Sequence, residues 1–288
     1  MVNLKTLLEQ LLSEDVDEAA VAVAQARSEQ LAVAINKKHE LCLTLYRPWE
    51  VLKNMNELTA GRKERIGADS VLYEAFDVDV IVGSMTIRRT KGTNEVISSA
   101  AEKGYGPLLY DIGLSLMYPE ALMSDRGSVS GTARKVWDYY FRNRKDVNKI
   151  FMKSKLGKVI MAPSPTDRQQ AKDVNSFLDF YDQIGALEDH IKYNSNNKEG
   201  AKLATELAGK NVELKSRLVK YNETMAKNPL AYSYQIKSPK SFVSLTNNHL
   251  KLVSTLKAKF NIPRSGIENE LMDTAGAYFS NKYLIGSL

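Results

Sequence analysis

Residues 94–144 constrain the chain most, because they hold a strand-like run, a glycine loop, a helix, a second short apolar run and a second helix in unbroken succession. NEVISSAA (94–101) reads as a strand and EKGYG (102–106) as a loop that uses glycine to turn. Pro107 suits the first position of a helix, where its missing amide costs nothing, and PLLYDIGLSLM continues that helix. Ala121, Leu122 and Met123 make a short buried strand, and Ser128 or Ser130 offers an N-cap for TARKVWDYYFRNR. Strand, helix, strand, helix in this order predicts an α/β unit.

The flanks read differently. Residues 3–12 and 15–45 are expected to be helical, the second beginning at Asp15 or Asp17 and ending at the Arg47–Pro48 step. Val78, Val80 and Val82 alternate with Asp79 and Ile81, and Met85 and Ile87 with Thr86 and Arg88, which is strand periodicity with Gly83 as a bulge or turn. PSPTD at 163–167 marks a boundary, with Thr166 and Gln169 as a capping box. Phe177, Phe180, Ile184 and Leu187, then Leu203, Leu207, Leu214 and Leu218, recur at helical spacing around the polar break NSNNKEG, which predicts a helical hairpin. A strand at 231–236 and helices near 241–259 and 266–283 complete the chain. The expected organisation is N-terminal helices at 1–57, a core at 58–240 with a helical insertion at about 166–226, and C-terminal helices at 241–288.

Composition narrows the class. With 288 residues, 43% hydrophobic and 26% charged, the chain can bury a core that holds a pocket, which excludes a disordered chain or a fibrous repeat. Its single cysteine, Cys42, excludes a disulfide scaffold and fits a reducing compartment. Cys42 sits in the apolar run LCLTL, read as helical, where it is an inert small hydrophobe. No apolar run approaches the roughly 18–20 residues that cross a bilayer, and the first residues reach acids too soon for a secretory core, so no membrane partner and a cytoplasmic location are expected. A formal charge of +6 favours anionic partners such as phosphates, coenzymes or nucleic acid.

On these residues the segment 94–144 resembles the coenzyme-binding half of the GNAT superfamily of N-acetyltransferases, and is most similar to divergent versions in bacteriophage genomes. In that superfamily a strand ends in a loop patterned Gln/Arg-x-x-Gly-x-Gly/Ala that opens a helix, whose first amides bind the pyrophosphate of acetyl-CoA. Ala101-Glu102-Lys103-Gly104-Tyr105-Gly106 occupies that pattern. The resemblance spans about residues 70–160, with 228–237 as a final strand. It implies a GNAT-like α/β fold, a mixed central sheet flanked by helices, with large helical additions at both ends and a helical insertion. It implies acetyl-CoA as the cofactor, held by Lys103, Gly104, Tyr105 and Gly106, by backbone pairing at Ser98 and Ser99 where strands splay, and by Ser130 and Arg134 on the second helix.

The implied activity is transfer of an acetyl group to an amine acceptor by direct attack, with Glu95 as general base or as a solvated strand-edge carboxylate. The family's second helix often carries Asn-x-x-Ala-x-x-x-Tyr, and here Ser130, Ala133 and Trp137 hold those places. Trp137 is no acid, so Tyr139 or Tyr140, or Tyr110 on the preceding helix, stands in as proton donor to the thiolate. Ala101 and Trp137 depart from the pattern, and acidic Glu102 sits where a phosphate would approach. They leave a second reading open: the fold kept without chemistry as a phage structural or internal virion protein, with virion proteins as partners and a place in the virion.

The basic run from Arg134 to Lys158, with Trp137, Tyr139 and Tyr140 among it, offers either a coenzyme phosphate site or, as the lesser alternative, a nucleic-acid surface. Asp125 and Arg126 either brace the loop that follows the short strand or line a site. His39, His190 and His249 lack metal-ligand spacing, so no metal is expected.

Overall fold

The apolar runs around residues 30–46 are short and flanked by turns, and they pair as strands rather than coil. The computed structural model describes residues 30–37, 40–60, 68–89, 93–127, 129–156, 158–194 and 198–285. Among these, β1 (Ala32–Asn36) and β2 (Leu41–Tyr46) form an antiparallel pair, followed by α1 (Pro48–Ala60) and α2 (Ala68–Ala75). Then come β3 (Ile81–Arg89), β4 (Thr93–Ala101), α3 (Gly106–Met117), β5 (Ala121–Ser124), α4 (Gly131–Asn143) and β6 (Val147–Phe151). Helices α5 (Arg168–Asn194) and α6 (Lys198–Met225), strand β7 (Tyr232–Ile236) and helices α7 (Val243–Phe260) and α8 (Arg264–Ile285) finish the described chain.

The helix expected over 15–45 is therefore corrected for 32–36 and 41–46, and Cys42 lies on a strand. Pro48 starts a helix instead of merely ending one. The physical reason is that LCLTLY has no amphipathic helical face: the ladder to β3 buries Leu41, Leu43, Thr44, Leu45 and Tyr46. The sheet thus begins before residue 58, inside the segment expected to be N-terminal helices. The expected helices at 3–12 and over 15–29, and His39 and Ser128, lie outside the described residues.

Among the described residues seven strands form one mixed sheet in the order β1-β2-β3-β4-β5-β7-β6, antiparallel from β1 to β4 and parallel between β4 and β5. The fold class is α/β. The chain divides into two compact units, one holding the described residues up to Asp125 with Ser130–Asn148 and the chain from Tyr234 on, the other holding Arg126–Val129 and Lys149–Ser233. Strands β6 and β7 carry the chain across that division.

In the first unit, helices α1, α2, α7 and α8 pack an apolar core around Tyr46, Val51, Phe76, Ile81, Leu256 and Leu271. Gly83 lies within β3, where a Cβ would come 3.1 Å from the Ala101 Cβ and 3.2 Å from the Ala100 carbonyl. Only glycine lets β3 and β4 approach this closely, and the bulge expected nearby falls on Val82, which the β2 register skips.

The second unit contains the helical hairpin α5–α6, with Phe177, Phe180, Ile184, Leu214 and Tyr221 at its core. The Phe177 and Tyr221 rings stack at 4.3 Å. Asp167, not Thr166, caps α5, its Oδ1 accepting from the Gln170 amide at 2.8 Å. Gln169 turns instead to Asp173, so the expected capping box does not form.

Candidate functional site

Strand β4 changes character along its length. Thr93–Val96 pair in parallel with Ala121–Ser124 on one side and, from Asn94, with β3 on the other. At Ile97 a bulge interrupts the β3 register, Thr86 facing Ser98 and Ile87 facing Val96. Strand β5 stops at Ser124, opposite Val96, while β4 runs on through Ala101. The β5 side of residues 97–101 has no strand ladder among the described residues, and Ser98 and Ser99 are half-buried there. Ser124, 1% exposed at the end of β5, has a hydroxyl with no hydrogen-bond partner among the described residues. This stretch of strand edge lies at the carboxyl ends of two parallel strands, where open α/β sheets form ligand crevices.

The loop after β4 closes on itself. The Glu102 amide donates to the Val82 carbonyl at 2.8 Å, and the Tyr105 amide donates to the Glu102 carbonyl at 3.1 Å. Gly104 has φ 88°, a left-handed conformation that costs a residue with a Cβ about 1–2 kcal/mol. Tyr105 then begins α3, its carbonyl accepting from the Leu109 amide at 3.0 Å. Helix geometry leaves the Gly106 and Leu108 amides without an intrahelical acceptor, and Pro107 has none to place. Gly106 meets α4: a Cβ on it would lie 3.3 Å from Val136 Cγ2. Two glycines therefore set a helix N-terminus, with its partial positive charge, directly after the end of β4. Chemically this is a set of backbone donors suited to an anion.

Ser130 caps α4, its Oγ accepting from the Ala133 amide at 3.2 Å, so the hydroxyl expected at a coenzyme already serves the helix. Arg134 is half-buried, and burial lowers its pKa. Lys103 is exposed at the loop tip. Glu95 is 9% exposed on β4, opposite Arg88, whose Nη1 is 3.6 Å from its Oε2. That placement corrects the reading of Glu95 as a solvated edge carboxylate.

The tyrosines sort by depth. Tyr140 is 0% exposed, and its single hydroxyl proton is shared between two acceptors in reach, the Pro107 carbonyl at 3.0 Å and Asp111 Oδ1. Burial and the nearby Asp111 charge push that hydroxyl well above the ordinary tyrosine value. Tyr140 is thus corrected from proton donor to core residue. Tyr139 is half-buried, its ring edge-on to Tyr140 at 6.0 Å. Tyr110 is also buried, 3% exposed, and its hydroxyl lies 2.8 Å from that of half-buried Ser99. Trp137, 1% exposed, packs against Tyr110 at 4.9 Å and Tyr234 at 5.1 Å. Buried this deeply, Trp137 and Tyr140 are not a stacking surface for bases.

Two charged groups were not singled out from sequence. Asp111, 1% exposed in the middle of α3, accepts from Arg144 Nη1 at 2.6 Å and Lys240 Nζ at 2.5 Å. Arg144 also bonds Asp146, and these partners hold its pKa above the ordinary value although burial opposes it. A lone acid in the apolar run PLLYDIGLSLM was the available signal, since a buried carboxylate needs a partner. Arg47, just after β2, forks onto Glu102 through Nη1–Oε1 at 3.0 Å and Nη2–Oε2 at 2.5 Å. That hydrogen bond is the first cause raising the Arg47 pKa. In the second unit, Arg126 donates to the Leu230 carbonyl at 2.8 Å, bracing the chain after β5.

His249, 5% exposed, faces the Tyr46 hydroxyl at 2.8 Å. No group of three or more His, Cys, Asp or Glu among the described residues could hold a metal ion. No helix among them is long and apolar enough to cross a membrane. No family model, curated protein or solved structure matches the chain.

Proposed function

We propose that this chain is an acyl-CoA-dependent N-acyltransferase of GNAT type, moving an acetyl group from acetyl-CoA to an amine. One observation carries the reading: the Gly104 turn and the N-terminus of α3 stand beside the stretch of β4 that β5 leaves uncovered. The residues present suit the coenzyme. Gly104 and Gly106 keep side chains out of the loop, the Gly106 and Leu108 amides are free to receive pyrophosphate, and the backbone of Ser98 and Ser99 has an open edge for an amide-bearing arm.

Acetyl-CoA, as substrate, supplies a thioester-activated acetyl group. The acceptor nitrogen forms the new C–N bond as the C–S bond breaks; the nitrogen loses a proton to a carboxylate or ordered water, and the thiolate gains one. The chain contributes chiefly by positioning and by backbone donors at the carbonyl oxygen. Half-buried Tyr139 is the tyrosine left as candidate donor to the thiolate, with buried Tyr110 acting only through its hydrogen bond to Ser99. Glu95 is the carboxylate nearest to hand on β4, its charge balanced by Arg88.

A specific observation favours a second reading, coenzyme-shaped but without chemistry, as in a virion component. The position that holds tyrosine in the family is Trp137, and the adjacent candidate Tyr140 is sealed in the core. Calorimetry with acetyl-CoA, beside an acetyl-transfer assay over a panel of amines, separates the two. The enzyme reading expects micromolar binding by the wild type, loss of binding in Gly104→Glu, and acetylated product. Binding without product favours the second reading, and no binding by folded wild type overturns the enzyme reading and leaves the second, which needs no coenzyme.

A further inference from the structure

We infer that Arg47 is a positioning residue for this same site, holding the Glu102 carboxylate so that its charge does not oppose the phosphates received by the loop and the α3 amides. The inference rests on the coenzyme reading above. Glu102 is the first residue of the loop, and an acid there is the feature of the loop least suited to a polyanion. Its two carboxylate oxygens are both taken by the Arg47 guanidinium, at 3.0 and 2.5 Å. Arg47 is itself fixed, its amide donating to the Val80 carbonyl at 2.9 Å and its Nη1 to the Asp79 carbonyl at 3.1 Å. The backbone of Glu102 is pinned as well, amide to Val82 and carbonyl to Tyr105. The carboxylate therefore cannot swing free without breaking a two-pronged bond anchored at both ends.

Distance makes this charge matter. Two steps of about 3.8 Å put the Glu102 Cα within about 8 Å of Gly104. That is about one Debye length at physiological salt, roughly 8 Å, so an unpaired carboxylate would act on a phosphate at the loop through partial screening, and more strongly at low salt. The side chains of Arg47 and Glu102 are 20% and 32% exposed, which excludes part of the water that would otherwise weaken the field. A guanidinium suits the task because its planar fork matches a carboxylate and stays charged.

The test titrates the full chain with acetyl-CoA by calorimetry, in wild type, R47Q, E102Q and R47Q/E102Q, at low and at physiological salt. R47Q, which leaves Glu102 charged and unpaired, is expected to bind about tenfold more weakly at low salt, with the defect shrinking as salt screens it. E102Q is expected to bind at least as tightly as the wild type. The double variant is expected to return to within about threefold of it, a restoration that loss of fold or of loop geometry would not produce. R47Q binding like the wild type, a salt-independent R47Q defect, a weakened E102Q, or a double variant as weak as R47Q would each overturn the inference and leave the coenzyme reading standing. Failure of the wild type itself to bind removes both.

Discussion

Two ion clusters sit at opposite depths along α3 and its loop. Asp111, in the middle of the helix, is sealed from water with Arg144, Lys240 and Tyr140 around it. Glu102, in the loop before the helix, has one partner, Arg47, and the pair is partly exposed. Both are arginine–carboxylate contacts, yet burial gives them different physical weights. A buried carboxylate left without partners keeps its full desolvation penalty, whereas a partly exposed pair that is broken returns to water at small cost. The inner cluster therefore holds the fold, and the outer one can be altered to change the charge at the loop mouth.

Breaking the inner cluster should have the largest effect. Asp111→Ala leaves buried Arg144 with Asp146 alone, takes a partner from Tyr140 and from half-exposed Lys240, and should cost about 3 kcal/mol, read by chemical denaturation. A loss below about 1 kcal/mol would erase the distinction between the clusters. Tyr140→Phe is next: it removes the hydroxyl that bonds Pro107 and Asp111 and should cost about 1–3 kcal/mol. On the proposed acyltransferase reading, acetyl transfer by the folded fraction should persist, and its abolition in a stable protein would return Tyr140 to the chemistry. Arg47→Gln should lower stability by only about 0–1 kcal/mol, its consequence appearing in ligand binding.

The smallest effect concerns acid. Arg144 holds the Asp146 pKa below the ordinary value, so the folded protein binds a proton there less readily than the unfolded chain. The stability Asp146 contributes is whole above its ordinary value of about 3.9 and fades as pH falls through the lowered one. Asp146→Asn should flatten that part of the acid-unfolding curve and leave stability near neutrality almost unchanged. A changed slope around pH 6 to 7 would point elsewhere, to His249. Burial depresses the His249 pKa, and its contribution fades as pH drops below about 6.5.

The legible parts were those specified by neighbours in sequence. The β4–loop–α3–β5–α4 run was readable because Gly104 and Gly106, Pro107 and Ser130 act within a turn of their own positions. The hairpin α5–α6 was readable because its apolar residues repeat at helical spacing over many turns. By contrast, β1 and β2 are short apolar runs whose type depends on a partner strand, and β2 acquires that partner from β3, some forty residues later. Strand β6, VNKIF, was hidden among lysines for the same reason. Within the candidate site, the glycine loop was visible, but the depth of Tyr140, the pairing of Glu95 with Arg88 and the Arg47–Glu102 fork were not.

The amino-acid sequence by itself determined the turn at Gly104, the starts of α3 and α4, and so that a helix N-terminus follows a glycine loop, because backbone sterics and capping act over a few residues. Only the tertiary structure decided which strand lies beside which, where β5 stops short of β4, and which charges meet. Those outcomes depend on burial and on contacts between residues far apart in the chain, and no local propensity encodes them.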